Sequence, residues 1–334
     1  MKMTYSSFVF LIACHLMGCG DPSASTSSQQ AATSLAHIQQ LDEELPEKIL
    51  LDSSYQFPYE LNEPDETLKL SDKLLEISGL SLSTDKDKLC AVQDEKGIIF
   101  QVSKKSGKIE DKIDFWKTGD YEGIEIIGKA AYVVKSTGTI YEVENMGTSK
   151  QNVNKYNTFL GRENDVEGLC YDRKNNRLLL ACKGRPATGE SLLEFRSRKC
   201  IYGFDLQSKQ LDSLPAFTIM LDEIQDYLIN HPLAEELNKL IEFFTPEKEN
   251  LNFNPSSIGI HPTSGNIYLT SSVGKVLIVL NPAGKILYME KMKKKLYPQP
   301  EGITFDKDGT LYISSEGKEG KARIQRLSPR LLGK

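Results

Sequence analysis

The chain has 334 residues, of which 39% are hydrophobic and 26% are charged, and its formal net charge is −5 at pH 7. This composition is that of a folded domain with a large core, and the negative charge gives no support to nucleic-acid binding. Histidine occurs only four times, which disfavours a histidine-rich transition-metal site.

Residues 1–18 are predicted to be a signal peptide. Lys2 precedes the apolar run Phe8–Ala13, which is too short to span a bilayer. Leu16-Met17-Gly18 stands directly before Cys19 and resembles a bacterial lipobox, which implies cleavage before Cys19 and lipidation of its thiol and amino group. An ordinary secretory signal with an incidental cysteine is the alternative interpretation.

Residues 19–54 are predicted to carry the lipid and to act as a tether. The stretch from Gly20 to about Gln40 is rich in Ser, Thr, Gln and Ala and poor in large apolar groups, which is typical of a flexible linker. We therefore expect an exported lipoprotein of the bacterial cell envelope. Acyl chains would hold it at the plasma membrane or the outer membrane.

Residues 55–334 contain one short motif five times. Consecutive motifs are 44 or 45 residues apart, except that the third and fourth are 89 apart. A period in this range is typical of units that must stack on one another to bury their apolar faces. The motifs are Ile77-Ser78-Gly79-Leu80, Tyr121-Glu122-Gly123-Ile124, Val166-Glu167-Gly168-Leu169, Pro255-Ser256-Ser257-Ile258 and Pro300-Glu301-Gly302-Ile303.

Strand chemistry repeats around each motif. A second apolar run follows about ten residues later, after a connector rich in turn formers, and a third run often comes next. One motif per four-stranded meander indicates an all-β fold, a five-bladed β-propeller, and neither a sandwich nor a solenoid explains the repeat. Residues 55–70, with the run Tyr59-Glu60-Leu61, are predicted to supply an outer strand that closes the ring against the last blade.

The long step between the third and fourth repeats predicts a helical insertion at about 221–250 rather than a sixth blade. Ile224 and Leu228, and then Leu233 and Leu237, are spaced as on one face of a helix. Pro232 is well placed as the first residue of a second helix.

The residue before each motif glycine is predicted to point toward the channel axis, because the first strand of a blade lines that axis. These residues are Ser78, Glu122, Glu167, Ser256 and Glu301. Three converging carboxylates repel one another unless a positive charge lies among them, and a hard cation with oxygen ligands, Ca²⁺, meets that need. Glu122, Glu167 and Glu301 are therefore the predicted metal ligands.

The second strand runs back to the same face, which makes Glu95 and Glu316 possible channel neighbours together with Ser78 and Ser256. The alternative is that the glutamates cap strand ends or pair with Lys135 and Lys183. The four remaining cysteines, Cys90, Cys170, Cys182 and Cys200, match no zinc spacing, and we assign them no role.

These motifs resemble the SdiA-regulated family of bacterial envelope proteins, over roughly residues 55–330. Gln93-Asp94-Glu95 and Ser314-Ser315-Glu316, at the ends of second strands, add to the similarity. The resemblance implies a five-bladed propeller distantly related to NHL-repeat propellers, with calcium in the channel near Glu122, Glu167 and Glu301. It implies no established biochemical activity. The insertion near 221–250 and the lysines at second-strand ends depart from the family pattern.

Two function classes stay open. The first is a non-catalytic module that binds a small ligand or an envelope protein, with calcium structural. The second is a calcium-dependent hydrolase, of lactonase or phosphoesterase type, with Glu95 or Glu316 as the base. The sequence identifies no catalytic residue.

Overall fold

The computed structural model describes residues 48–50, 52–186, 198–220, 223, 224, 226, 228, 253–318 and 320–330. Five antiparallel sheets form a five-bladed β-propeller, as the sequence predicts. Each innermost strand contacts the innermost strand of the next blade, and the last contacts the first, so the ring is closed.

The strands are numbered along the chain, and each blade starts at the axis. Two short strands come first, β1 (Lys48–Leu50) and β2 (Glu66–Lys69). Blade 1 contains β3 (Ile77–Leu82), β4 (Lys88–Gln93), β5 (Ile98–Ser103) and β6 (Ile109–Asp114). Blade 2 contains β7 (Tyr121–Ile127), β8 (Ala130–Lys135), β9 (Ile140–Glu144) and β10 (Asn152–Tyr156).

Blades 3 to 5 repeat the same meander. Blade 3 contains β11 (Val166–Asp172), β12 (Arg177–Cys182), β13 (Arg198–Asp205) and β14 (Gln210–Met220). Blade 4 contains β15 (Pro255–Ile260), β16 (Ile267–Ser271), β17 (Val276–Leu280) and β18 (Ile286–Lys291). Blade 5 contains β19 (Pro300–Phe305), β20 (Leu311–Ser315) and β21 (Arg323–Leu327).

The two N-terminal strands complete blades 4 and 5. Strand β2 pairs antiparallel with β21 as the outer strand of blade 5, which confirms that residues 55–70 close the ring. Strand β1 pairs with β18 and gives blade 4 a fifth strand. The run Tyr59-Glu60-Leu61, in contrast, is not a strand. Its Tyr59 and Leu61 side chains pack into the core between blades 4 and 5, and Tyr59 Oη donates to Gly309 O at 2.5 Å.

The predicted helical insertion at about 221–250 is not supported by the structure. Most of that segment lies outside the described residues, and Glu223, Ile224, Asp226 and Leu228 are its only described residues with helical backbone. The remaining helix in the described ranges is a single 3-10 turn at Asp72–Leu74. Without that insertion, the described chain is an almost purely β structure.

The predicted signal peptide and Cys19 lie outside the described residues and stay predictions. Within the ranges given above, no helix combines the length and the apolar character that crossing a bilayer requires.

The hydrophobic core consists of five clusters, one at each interface between neighbouring blades. The cluster between blades 5 and 1, for example, joins Leu68, Leu80 and Tyr312. No blade buries its faces alone, which is why the unit must repeat around a ring.

Four cysteines of the propeller, Cys90, Cys170, Cys182 and Cys200, are free and buried. Burial raises the pKa of the Cys90 thiol to about 11 and raises the pKa of the others as well. Because the thiolate is the reactive form, we expect iodoacetamide to label these four only after unfolding. Peptide mass spectrometry of native and denatured samples checks this. Labelling of the native protein at any of them would contradict it.

Candidate functional site

The residue before each motif glycine is a β-bulge in all five blades. The pairing of first and second strands skips one residue at this point, between Ile77 and Gly79 in blade 1 and at the equivalent place in the others. A bulge leaves one residue unpaired and re-aims its side chain. The skipped residues are Ser78, Glu122, Glu167, Ser256 and Glu301, the five that the sequence predicts to face the axis.

The glycine after the bulge is required by close approach of neighbouring blades. A Cβ on Gly123 would lie 2.7 Å from Leu169 Cβ and 3.1 Å from Leu169 N of the next inner strand. In blade 4 the equivalent residue is Ser257, whose hydroxyl is hydrogen-bonded to Thr270 Oγ1. The inner strands therefore pack backbone against backbone, which brings the bulges together around the axis.

The two serines at the bulge position form hydrogen bonds between neighbouring blades. Ser78 Oγ donates to Tyr121 O at 2.6 Å, and Ser256 Oγ donates to Pro300 O at 2.5 Å. Each bond joins a blade to the following one. Blades 1 and 4 thus use this position for ring structure.

The three glutamates at the bulge position lie within electrostatic reach of one another. Burial, then the Glu167 carboxylate, then Asp120 raise the pKa of Glu122 to about 10, and Glu301 adds to the shift. Burial and the carboxylates of Glu167 and Glu316 raise the pKa of Glu301 well above its usual range. The fold therefore gathers the three predicted glutamates into one acidic cluster.

Lys183 supplies positive charge to this cluster. Its Nζ donates to Glu167 Oε1 at 2.6 Å and lies 3.8 Å from Asp165 Oδ2. Burial nevertheless raises the pKa of Glu167 to about 7, because the opposing effect of Lys183 is smaller and Asp165 adds repulsion. Among the described residues, Glu167 Oε2 is buried without a hydrogen-bond partner.

A second set of polar side chains, which we call the outer ring, precedes the bulges and was not among the predicted site residues. Two residues before each bulge, every blade carries a carboxylate or an amide: Glu76, Asp120, Asp165, Asn254 and Gln299. In four blades the carbonyl of this residue accepts an N–H from just beyond the second strand, from Asp94, Ser136, Lys183 and Glu316. The signal was available in the sequence, because a carboxylate or an amide directly precedes every motif.

The second strands return to the same face, as predicted. Tyr121 pairs with Lys135, for example, at the bulge end of blade 2. Glu316 is half-buried, and its pKa is raised by burial and, among its acidic neighbours, by Asp94. Glu95 is exposed. Lys135 Nζ lies 5.9 Å from the centre of the Tyr121 ring.

The end of the channel where the bulges meet is called the channel mouth here. Its possible ligands are carboxylate, amide and hydroxyl oxygens, which are the ligands that Ca²⁺ prefers. Buried oxygens without a partner in the described ranges, Glu167 Oε2 and Asp94 Oδ1, are consistent with such an ion. No three His, Cys, Asp or Glu side chains among the described residues are arranged as a metal site, however. The chemistry of the site therefore suits calcium, and its side chains would have to adjust to hold the ion.

Solved structures that resemble this chain share little sequence with it. The glutaminyl cyclase of Myxococcus xanthus has a TM-score of 0.50 and 10% identity, with 81% of this chain and 97% of that chain covered. The virginiamycin B lyase of Staphylococcus aureus has a TM-score of 0.39 and 12% identity, with 79% and 73% covered. At such identities the glutaminyl cyclase shows the fold alone, and no chemistry is transferred.

No curated protein matches the chain. The model of the SdiA-regulated family matches it over residues 60–224 and 245–318, which include all five motifs and the outer ring. The chain belongs to the SdiA-regulated family.

Proposed function

We propose that this protein is a non-catalytic binding module that captures a cation, Ca²⁺, at the acidic mouth of its channel. The convergence of Glu122, Glu167 and Glu301 at equivalent bulges carries the proposal. We also propose that a lipid on Cys19 anchors the module at the bacterial cell envelope, because residues 1–19 have the sequence features of a lipoprotein signal.

The electrostatics of the cluster favour a cation. In the described part of the chain Lys183 is the one ammonium paired with these glutamates, and neither Glu122 nor Glu301 has an ion pair. Burial and the neighbouring carboxylates raise the pKa of Glu122 to about 10, which favours its protonated form at neutral pH. A divalent cation would replace that proton and offset the repulsion among the carboxylates.

The carboxylates of Glu122, Glu167 and Glu301 would hold the ion, and the outer ring would add negative charge around it. Bound calcium supplies a fixed positive centre for oxygen ligands. Lys183 competes with it for Glu167, because both interact with the same carboxylate. Release of Lys183 from Glu167 would be part of ion binding.

Calorimetric titration of the chelator-treated full chain with CaCl₂ tests the proposal. We expect Glu167→Gln and Glu301→Gln each to weaken binding at least tenfold, because each removes a charged oxygen ligand. Glu110→Gln, on the exposed rim strand β6, is the matched control and should bind as the parent does. Lys183→Met should strengthen binding by removing the competitor.

Equal affinity in the parent and both glutamine variants would overturn the proposed site. A panel of lactones and phosphoesters, assayed with calcium and with chelator, tests the hydrolase alternative. Calcium-dependent turnover that Glu167→Gln abolishes would establish the enzyme in place of the binding module.

A further inference from the structure

A groove on the rim, between the outer strands of blades 5 and 1, is lined mainly by lysines. Its volume is about 760 Å³, and five of its nine lining residues are lysines while none is acidic. The lysines are Lys69, Lys73, Lys108, Lys112 and Lys321. This surface is separate from the acidic channel mouth.

Ring closure assembles the groove. Lys69 ends β2, and Lys108 and Lys112 belong to the turn before β6 and to β6 itself. At that turn, Gly107 has a φ of +69°, and a Cβ there would lie 2.8 Å from Lys69 O. The rims of blades 5 and 1 therefore meet closely, which brings lysines from distant parts of the sequence together.

The positive charge of the groove is only partly compensated. Lys321 lies 3.9 Å from Asp72. Across the described ranges, the other four lysines have no carboxylate within salt-bridge distance, and the nearby Glu110 pairs instead with Lys88 at 3.5 Å.

Two amines of the groove also crowd each other. Interaction with the nearby Lys73 amine lowers the pKa of Lys112, and the charge of Lys96 adds to this while Asp114 opposes it. Like charges held this closely are stabilised by an anion between them.

We propose that this groove binds an anion carrying two or more phosphate groups. Lysine ammonium groups bind phosphate as point charges, and five of them around one groove match more than a single phosphate. The volume of the groove falls in the range of small-ligand sites. It is larger than one phosphate ion. Such a ligand would bridge the N-terminal strand β2 and blade 1 across the seam of the ring.

Titration of the chelator-treated full chain with inorganic pyrophosphate at low ionic strength tests this proposal. We expect the double variant Lys73→Gln/Lys112→Gln to weaken binding at least tenfold. The control Lys129→Gln/Lys150→Gln removes the same charge from exposed positions elsewhere and should leave binding unchanged. Binding should also weaken steeply as salt is added, because exposed charges are screened.

Co-sedimentation with cardiolipin vesicles, whose headgroup carries two phosphates, and with phosphatidylcholine vesicles distinguishes a lipid phosphate from a soluble one. Binding to the anionic vesicles that the lysine variant loses, without pyrophosphate binding, supports a lipid headgroup as the source. Pyrophosphate binding that the variant loses supports a soluble ligand. Melting temperatures of both double variants within a few degrees of the parent show that they fold. No binding in either experiment, or binding that the variant leaves intact, would overturn the proposal.

Discussion

Replacing Gly302 with alanine is expected to destabilise the propeller by about 2–3 kcal/mol, the usual cost of forcing an atom into a packed interface. The new Cβ would lie 2.3 Å from Ser314 Oγ, 2.8 Å from Leu80 Cβ and 3.1 Å from Leu80 N. The serine side chain belongs to the same blade, but Leu80 belongs to the inner strand of blade 1. The backbone atom has no rotamer to move to, so blades 5 and 1 must separate at the seam of the ring.

Gly161→Ala is the matched control, because a Cβ at Gly161 meets nothing within 4 Å. It should be neutral or slightly stabilising, since alanine restricts the unfolded chain. Urea unfolding followed by circular dichroism compares both variants with the parent. Equal stability of Gly302→Ala and Gly161→Ala would show that close blade packing does not explain the motif glycines.

The period and the turn residues of the sequence were sufficient to predict the propeller and its five blades. The motif glycines recur because each inner strand packs against the next, and this constraint is local enough to leave a periodic signal. The position of Ser78 and its equivalents followed from the same repeat. The bulge that skips these residues did not, because the inner strands are buried on both faces and show no in–out alternation in which an extra residue would be visible.

The parts that sequence reasoning missed depend on contacts between distant segments. Tyr59 and Leu61 read as strand residues, yet their side chains fill the core between two blades. Strand β1 lies within the segment that was expected to be a tether. The sequence did not predict this strand, because its partner β18 is more than 200 residues away in the chain. The lysine groove combines residues near 70, 110 and 321, which are far apart in the sequence and leave no local basic run to find.

The contacts of Lys183 at the channel mouth also could not be predicted from the sequence. The sequence offered an ion pair with a lysine and a bound cation as competing interpretations of the glutamates. The structure contains the ion pair with Glu167, while it leaves Glu122 and Glu301 without one in the described ranges. The lysine interpretation is therefore confirmed for Glu167, and the cation interpretation stays a prediction for the cluster.

Without calcium, the protein is expected to lose stability as the pH rises from 5 to 8. Glu122 and Glu167 have ordinary pKa values near 4.5, which burial and neighbouring carboxylates raise to about 10 and about 7 in the fold. The folded protein therefore binds more protons than the unfolded chain in this window. Each group contributes stability that is complete below its unfolded pKa and decreases as the pH rises, by on the order of 1 kcal/mol per pH unit.

Other titrating groups oppose this loss of stability at particular pH values. The pKa of Lys199 is lowered to about 8 by burial, which adds stability with rising pH above that value. The pKa of His261 is lowered by burial, which opposes the glutamates weakly near pH 6. Thermal melting between pH 5 and 8, in the presence of a chelator, measures this pH dependence. The melting temperature should fall by several degrees over this range.

Glu122→Gln provides the decisive comparison, because a neutral amide of nearly the same shape replaces the carboxyl group. We expect it to stabilise the metal-free protein at pH 8 and to flatten the pH dependence, while Glu110→Gln leaves both unchanged. Calcium at one hundred times its dissociation constant should raise the stability of the parent at pH 8 by about 2.7 kcal/mol. That gain should be largely absent in Glu122→Gln, because the amide provides no negative charge for the ion. A parent protein that is more stable at pH 8 than at pH 5 without calcium would show that the fold does not raise the pKa values of these glutamates.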